Sequence, residues 1–285
     1  METVLRAARL DDAPEAGRIL YEAFRVIAER HGFAPDFPSE EAGVGVMGWL
    51  LANPGFYGVA AERDGRVVAT NFLDERNAIA GVGPLTVDPQ VQDSGIGRRL
   101  MLDVMDRAAV RGAPGVRLLQ AAYHGRSLAL YARLGFQVRD TCACMQGAPG
   151  GEVPAGLEVR AAVEDDLAAC NRLCREVHGH DRGGELAEAL AAGSARVVER
   201  SGRLTGYTTG VGFIAHTVGE TDDDVMALVG TAGEITGPGF LLPLSRPALF
   251  RRALESGLRV MFLMTLMTTG LYSEPDGAWL PSVLY

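Results

Sequence analysis

The sequence predicts an α/β (α+β) protein of two domains. Three observations lead there. The chain has 285 residues, about two domains at ~150 residues each. Short alternating strand patterns and longer helical patterns succeed one another, an antiparallel hairpin first and a strand–helix–strand unit after it. The chain also repeats itself. Leu5-Arg6-Ala7-Ala8, Asp11-Asp12 and Glu22 return as Val159-Arg160-Ala161-Ala162, Asp165-Asp166 and Glu176, always 154 residues later, and Glu62-Arg63-Asp64-Gly65-Arg66 is echoed by Glu199-Arg200-Ser201-Gly202-Arg203. Two echoes in the same order indicate a duplicated domain. A crowd of Gly and Pro over residues 146–156 marks the link, giving domains at 1–145 and 157–285.

The elements follow in order. Val4–Ala8 reads as a strand, and Asp11 or Asp12 is placed to cap a helix with Pro14 and Glu15 in its first turn. Glu40–Leu51 reads as a second helix. Phe56–Glu62 and Arg66–Leu73 flank Asp64-Gly65, a hairpin signal. Gly81–Val87 reads as one strand ending at Asp88-Pro89, followed by a helix over Ile96–Arg111 with Leu100, Val104 and Ala108 a turn apart. A strand over Val116–Ala122, a helix over Arg126–Leu134 stopped by Gly135, and a strand over Phe136–Arg139 complete the first half. The second half reads as a strand, a helix over Glu164–Val177, a hairpin at Ser201-Gly202, an acidic helix start at Asp222-Asp223-Asp224, a helix from Ser245 and Pro247 to Gly257, a buried strand over Leu258–Thr268 and a last strand after Gly277.

Composition excludes several functions. There are 27 basic and 36 acidic side chains, a formal net charge of −9, so no basic face is available for nucleic acid or an anionic membrane. Every basic residue is Arg, and the absence of Lys excludes a P-loop lysine and a Schiff-base lysine. No signal peptide is visible, and the apolar stretch from Leu258 to Thr269 is too short to span a bilayer. Cys142, Cys144, Cys170 and Cys174 do not make a disulfide framework; a cytoplasmic protein with packing thiols is expected. His178-Gly179-His180-Asp181 lacks further ligands at zinc spacing and reads as a surface loop, so no metal is expected. Met261, Met264 and Met267 read as core.

The chemistry concentrates after the strand Gly81–Val87, where the chain runs Asp88-Pro89-Gln90-Val91-Gln92-Asp93-Ser94-Gly95-Ile96-Gly97-Arg98-Arg99. Gly95 and Gly97 let the backbone approach an anion, the helix start offers unpaired N–H groups, and Arg98 and Arg99 add charge. Gln92-Asp93-Ser94-Gly95-Ile96-Gly97 resembles the coenzyme A loop of the GNAT N-acetyltransferases, Gln/Arg-x-x-Gly-x-Gly/Ala. Ser127-Leu128-Ala129-Leu130-Tyr131-Ala132-Arg133-Leu134-Gly135-Phe136 resembles that family's second motif, at the family's spacing. The resemblance covers residues 4–140 at least and implies two GNAT-like domains, each a mixed, mostly antiparallel twisted sheet flanked by helices.

It further implies an acetyl-CoA-dependent N-acetyltransferase acting by direct attack of a primary amine of a small molecule or peptide. Leu85, Thr86 and Val87 would pair with the pantetheine arm. Gln92, Asp93, Ser94, Gly95, Ile96, Gly97 and Arg98 would hold the pyrophosphate, and Tyr131 would protonate the leaving thiolate. His124 stands where the family favours Asn and Ser127 where it favours Ala; both are coenzyme candidates. A backbone N–H near Val87 would serve the oxyanion. The base is left among Asp74 and Glu75, against a solvated turn, Glu40 and Glu41 near an acceptor pocket, and the carboxylate of Tyr285. The second half, with prolines in Gly237-Pro238-Gly239-Phe240-Leu241-Leu242-Pro243 where a second loop is expected, reads as degenerate and as supporting the first domain or shaping its acceptor pocket. The expected partners are the amine acceptor and, at most, a second copy of the chain. The rival reading is a non-catalytic acyl-CoA-binding or ligand-sensing protein on the same fold.

Overall fold

A computed structural model describes residues 3–150, 153–233, 235 and 237–284. The first half runs β1 (Thr3–Ala7), α1 (Ala13–Arg30), α2 (Glu40–Ala52), β2 (Phe56–Arg63), β3 (Arg66–Asp74), β4 (Ala80–Val82), β5 (Thr86–Val87), α3 (Ile96–Val110), β6 (Gly115–Ala121), α4 (Gly125–Arg133) and β7 (Gln137–Gln146). The second half runs β8 (Leu157–Ala161), α5 (Leu167–His178), α6 (Gly183–Ala191), β9 (Arg196–Arg200), β10 (Arg203–Thr208), β11 (Thr217–Gly219), α7 (Asp222–Gly230), β12 (Phe240–Pro243), α8 (Pro247–Glu255), β13 (Arg259–Gly270) and β14 (Ala278–Leu280). From β8 to β13 the order of strands and helices reproduces that from β1 to β7, with β5 alone missing.

The repeated residues build the same device twice. Arg6 grips Asp12 at 2.8 Å and Glu62 at 2.6 Å, and Arg160 grips Asp166 at 2.7 Å and Glu199 at 2.6 Å. Each aspartate also accepts a backbone N–H three residues before it, from Arg9 and from Val163. Neither Asp12 nor Asp166 caps a helix through its side chain, contrary to the expectation for Asp12: the arginine competes for the carboxylate and wins.

The sheets cross the covalent link. One sheet has nine strands, in the order β1-β2-β3-β4-β6-β13-β7-β12 with β5 on β3; the other has five, β14-β11-β10-β9-β8. The second half therefore sends β12 and β13 into the first sheet, and β13 lies antiparallel between β6 and β7, pairing Leu266 with Leu119 on one side and with Asp140 on the other. Its stretch Met264–Thr268, paired on both edges, is buried, while Val260, Met261 and Leu263 are exposed, contrary to the core position expected of Met261. The second half also has a helix the periodicity did not announce, α6, which docks on the first half: Arg76 pairs with Glu188 at 2.7 Å and Glu185 at 3.3 Å.

The core of the first half lies between the sheet and α3, where Ile96, Leu100, Val104 and Ala108 are buried against Leu73, Val82, Leu118 and Tyr131. Full burial of a leucine such as Leu100 is worth about 1.5–3 kcal/mol. Among the described residues no helix is long and apolar enough to cross a membrane.

Candidate active site

The expected strand Gly81–Val87 is split, and the split makes the site. β4 pairs with β6 in parallel only at Ala80–Val116 and Gly81–Arg117. Beyond the Gly83–Pro84 bond the chain leans away, and β5 pairs with β3 alone, at Thr86–Thr70 and Val87–Ala69. Residues 118–121 of β6 keep their ladder only with β13. A wedge thus opens between Leu85–Val87 and the second half of β6.

The mouth of the wedge is the start of α3. Asp93 and Gly95 both adopt positive φ, 63° and 79°, which turns the chain sharply into the helix. Gly95 is the N-cap and offers no side-chain acceptor, so the first N–H groups of α3 stay available. A Cβ built on Gly95 meets nothing within 4 Å, and one on Gly97 projects between Val87, Leu130 and Leu85 at 3.7–3.9 Å. The loop is braced from behind: the Gln92 amide donates to the Val87 carbonyl at 3.2 Å, the Ser94 hydroxyl to the Val91 carbonyl at 2.6 Å, and Arg126 of α4 pairs with Asp93 at 2.8 Å. Arg98 is exposed at the helix start. Arg99, expected to add charge there, instead donates to the Thr3 carbonyl at 3.0 Å and leaves the loop.

Along the wedge lie His124, Ser127 and Tyr131. The His124 ring Nδ1 is hydrogen-bonded to the Ser127 hydroxyl, one turn of α4 before Tyr131. Burial pushes the Tyr131 phenol up to about 12, so it holds its proton throughout the neutral range. Burial, helped by the nearby charges of Arg126 and Arg30, pushes the His124 imidazole down to about 4, so it is neutral there. The departures from the usual motif, His124 and Ser127, are thus bonded to each other.

The nominated bases fare differently. Glu75 is not turned to the wedge: Arg107 holds both its oxygens, at 2.7 and 3.0 Å, and Arg111 lies at 3.4 Å. Asp74 is buried and gripped by Arg76 at 2.5 and 2.9 Å. These carboxylates anchor the end of α3 and the contact with α6. Glu40 and Glu41 sit exposed in the first turn of α2, behind the Ser39 cap. Tyr285 lies outside the described residues; the neighbouring Leu284 is buried, with its carbonyl pressed against Gly81 of β4. The Asp88 N–H, just after Val87, is bonded to the Val68 carbonyl at 2.9 Å.

Two features escaped the sequence. His178, expected on a surface loop, is packed inside, 2% exposed and edge-on to Trp279 at 5.4 Å, and His180 is half-buried beside it; burial holds both imidazoles below their ordinary value. The repetition of β1–β7 as β8–β13 sets the counterpart of the anion loop before α7, not at Gly237–Pro243. There Thr221 and Asp224 form a capping box, and Asp222, Asp223 and Asp224 crowd the first turn. The counterpart of α4 is α8, with Ala253 at the place of Tyr131. The repeated order of strands and helices, rather than the prolines, places that counterpart. Among the described residues no group of three or more His, Cys, Asp or Glu is placed to hold a metal ion.

Residues 18–136 match the family model described as Acetyltransferase (GNAT) family. The whole fold is shared more widely. A candidate acetyltransferase from Pyrococcus horikoshii superposes with a TM-score of 0.74 at 16% identity, over 96% of this chain and 91% of its own. A GCN5-related N-acetyltransferase from Sphaerobacter thermophilus gives 0.63 at 20% identity, over 96% and 97%. No curated protein sequence matches the chain.

Proposed function

We propose that the chain is an acetyl-CoA-dependent N-acetyltransferase with one active site, at the wedge between β5 and β6. The observation that carries this reading is the uncapped start of α3 at the wedge mouth, with a protonated tyrosine buried along the same wedge. The loop Gln92–Arg98 would hold the pyrophosphate on backbone N–H groups and the helix dipole. Leu85, Thr86 and Val87, paired on one edge only, would take the pantetheine amides on the other.

The amine attacks the thioester carbonyl directly. A C–N bond forms, the carbonyl carbon becomes tetrahedral, and the C–S bond then breaks. Tyr131 gives its proton to the departing thiolate, and the proton lost by the nitrogen restores the phenol through solvent. Direct attack is favoured over an acyl-cysteine because all four thiols are buried and burial raises each of them, Cys144 and Cys170 to about 12. The second half would not bind a second coenzyme, since three carboxylates at the start of α7 repel an anion.

Calorimetric titration with acetyl-CoA tests the reading. One site per chain, followed by acetylation of an amine, is the expected result. Absence of binding overturns it, and binding without turnover on any amine, with Tyr131→Phe indifferent, supports the sensing alternative instead.

A further inference from the structure

Gln120 of β6 is a polar side chain on a largely apolar face. Strand alternation sets it with Val116 and Leu118, which pack with Tyr131 and α3, whereas Leu119 turns to the opposite core beside Ile79 and Leu241. Its partner across the ladder is Thr265 of β13, itself buried, and the next rung on that face, Leu118 with Met267, is apolar. Gln120 is 6% exposed, and among the described residues neither its amide nitrogen nor its amide oxygen has a hydrogen-bond partner. Asn71 and Gln146 show the contrast. Asn71 donates to the Leu100 carbonyl at 3.4 Å and accepts the Phe72 N–H at 3.0 Å. Gln146 donates to the Ile235 and Gly237 carbonyls, both at 2.9 Å, and accepts the Gly147 N–H at 2.7 Å. Among the described residues only Gln120 leaves both ends of a buried carboxamide unmatched.

A buried donor and acceptor without partners destabilise a fold unless something outside the chain completes them. The place of Gln120 says what that is. β4 and β6 part after the Gly81–Arg117 rung, and the same parallel register, continued, would set Gln120 opposite Pro84. Pro84 has no N–H to offer a neighbouring strand, and beyond it the chain pairs with β3 alone. Gln120 therefore stands on the wall of the wedge, on the face that Tyr131 shares. A carboxamide needs both an acceptor and a donor from its ligand, which is what an amide supplies. The pantetheine arm proposed to lie in this wedge carries two amides.

We infer that Gln120 is a coenzyme-binding residue, its Nε2–H donating to a pantetheine amide carbonyl and its Oε1 accepting a pantetheine amide N–H. The inference rests on the acetyltransferase reading above, and it adds a side chain to a contact otherwise left to the backbone of Leu85, Thr86 and Val87. It also gives the second half a share in the coenzyme site, because the rung that carries Gln120 is completed by Thr265.

The test compares the full chain with its Gln120→Met variant, close in shape and without polar atoms at the tip. Calorimetric titration with acetyl-CoA should show the Kd raised about tenfold or more, the loss of hydrogen bonds to the arm. Titration with 3′-phospho-ADP, the nucleotide half of the coenzyme, should leave the Kd within about twofold of the parent, because that half never reaches Gln120. The melting temperature without ligand should hold or rise, since two unmatched polar atoms leave a buried site. The inference is overturned if acetyl-CoA binds the variant within about twofold of the parent, if acetyl-CoA and 3′-phospho-ADP weaken alike, or if the unliganded variant melts several degrees lower or fails to fold. That last result would mean that an ordered water satisfies Gln120 inside the fold. Failure of the parent itself to bind acetyl-CoA overturns the acetyltransferase reading instead.

Discussion

Replacing Gly97 by alanine should separate coenzyme binding from stability, moving them in opposite directions. Gly97 has helical backbone in the first turn of α3, so alanine suits the conformation and reduces the entropy of the unfolded chain. An alanine Cβ there finds Val87, Leu130 and Leu85 at 3.7–3.9 Å, ordinary van der Waals contact with nothing displaced. The fold should therefore gain about 0.5 kcal/mol, raising the melting temperature by about 1–2 °C. The same methyl projects between β5 and α4, where the pyrophosphate would have to approach the helix N–H groups. Losing one charge-assisted hydrogen bond costs about 1.5–3 kcal/mol, which weakens acetyl-CoA binding by about 10- to 150-fold. Thermal melting of the unliganded protein and calorimetric titration with acetyl-CoA read the two effects independently. Unchanged affinity in a variant with intact folding would refute the assignment of this loop to the coenzyme.

Three further outcomes follow from the same geometry. Tyr131→Phe should lower turnover by about 10²–10⁴ with the acetyl-CoA Kd within twofold; steady-state kinetics check it, and turnover within threefold of the parent removes Tyr131 from the chemistry. Gly81→Ala forces a Cβ against the Leu284 carbonyl, only 1.8 Å from its ideal position, so denaturant unfolding should show about 1–3 kcal/mol lost. The arginines hold Asp12 and Asp166 below the ordinary carboxylate range, so both add stability at pH values above about 4. That stability is lost as pH falls through the lowered folded values, and an Asp12→Asn/Asp166→Asn double variant should show a flatter loss between pH 5 and 2 in thermal melts.

Much of this architecture was legible because it rests on local signals. Asp64-Gly65 and Ser201-Gly202 form their hairpins, Gly135 ends α4 with φ +91°, and the echoed Arg6 and Arg160 make the same pair of contacts. What escaped was long-range. Nothing near Leu258–Thr268 says that this strand lies between β6 and β7, because period-2 burial looks alike in any sheet. The split of Gly81–Val87 depends on a departure from β6 that no neighbour in sequence encodes. His178-Gly179-His180 has the composition of a loop, and His178 is buried by long-range packing against Trp279. The carboxylates nominated as bases, Asp74 and Glu75, lie at the end of a strand as expected, but Arg76, Arg107 and Arg111 claim them.

The strand exchange bears on why a half without an anion loop is retained. If the second half only repeated the first, its sheet would close on itself, and residues 1–145 would suffice as a unit. Instead β6 and β7 each have β13 as a neighbour, so removing the second half exposes both ladders. β6 is the strand that borders the wedge, with Gln120 and Ala121 fixed by Thr265 and Met264 of β13. The edge of the proposed active site is therefore held by residues that come last in the chain. This role depends only on the strand's register, and the carboxylate-crowded start of α7 serves stability through its Thr221–Asp224 cap.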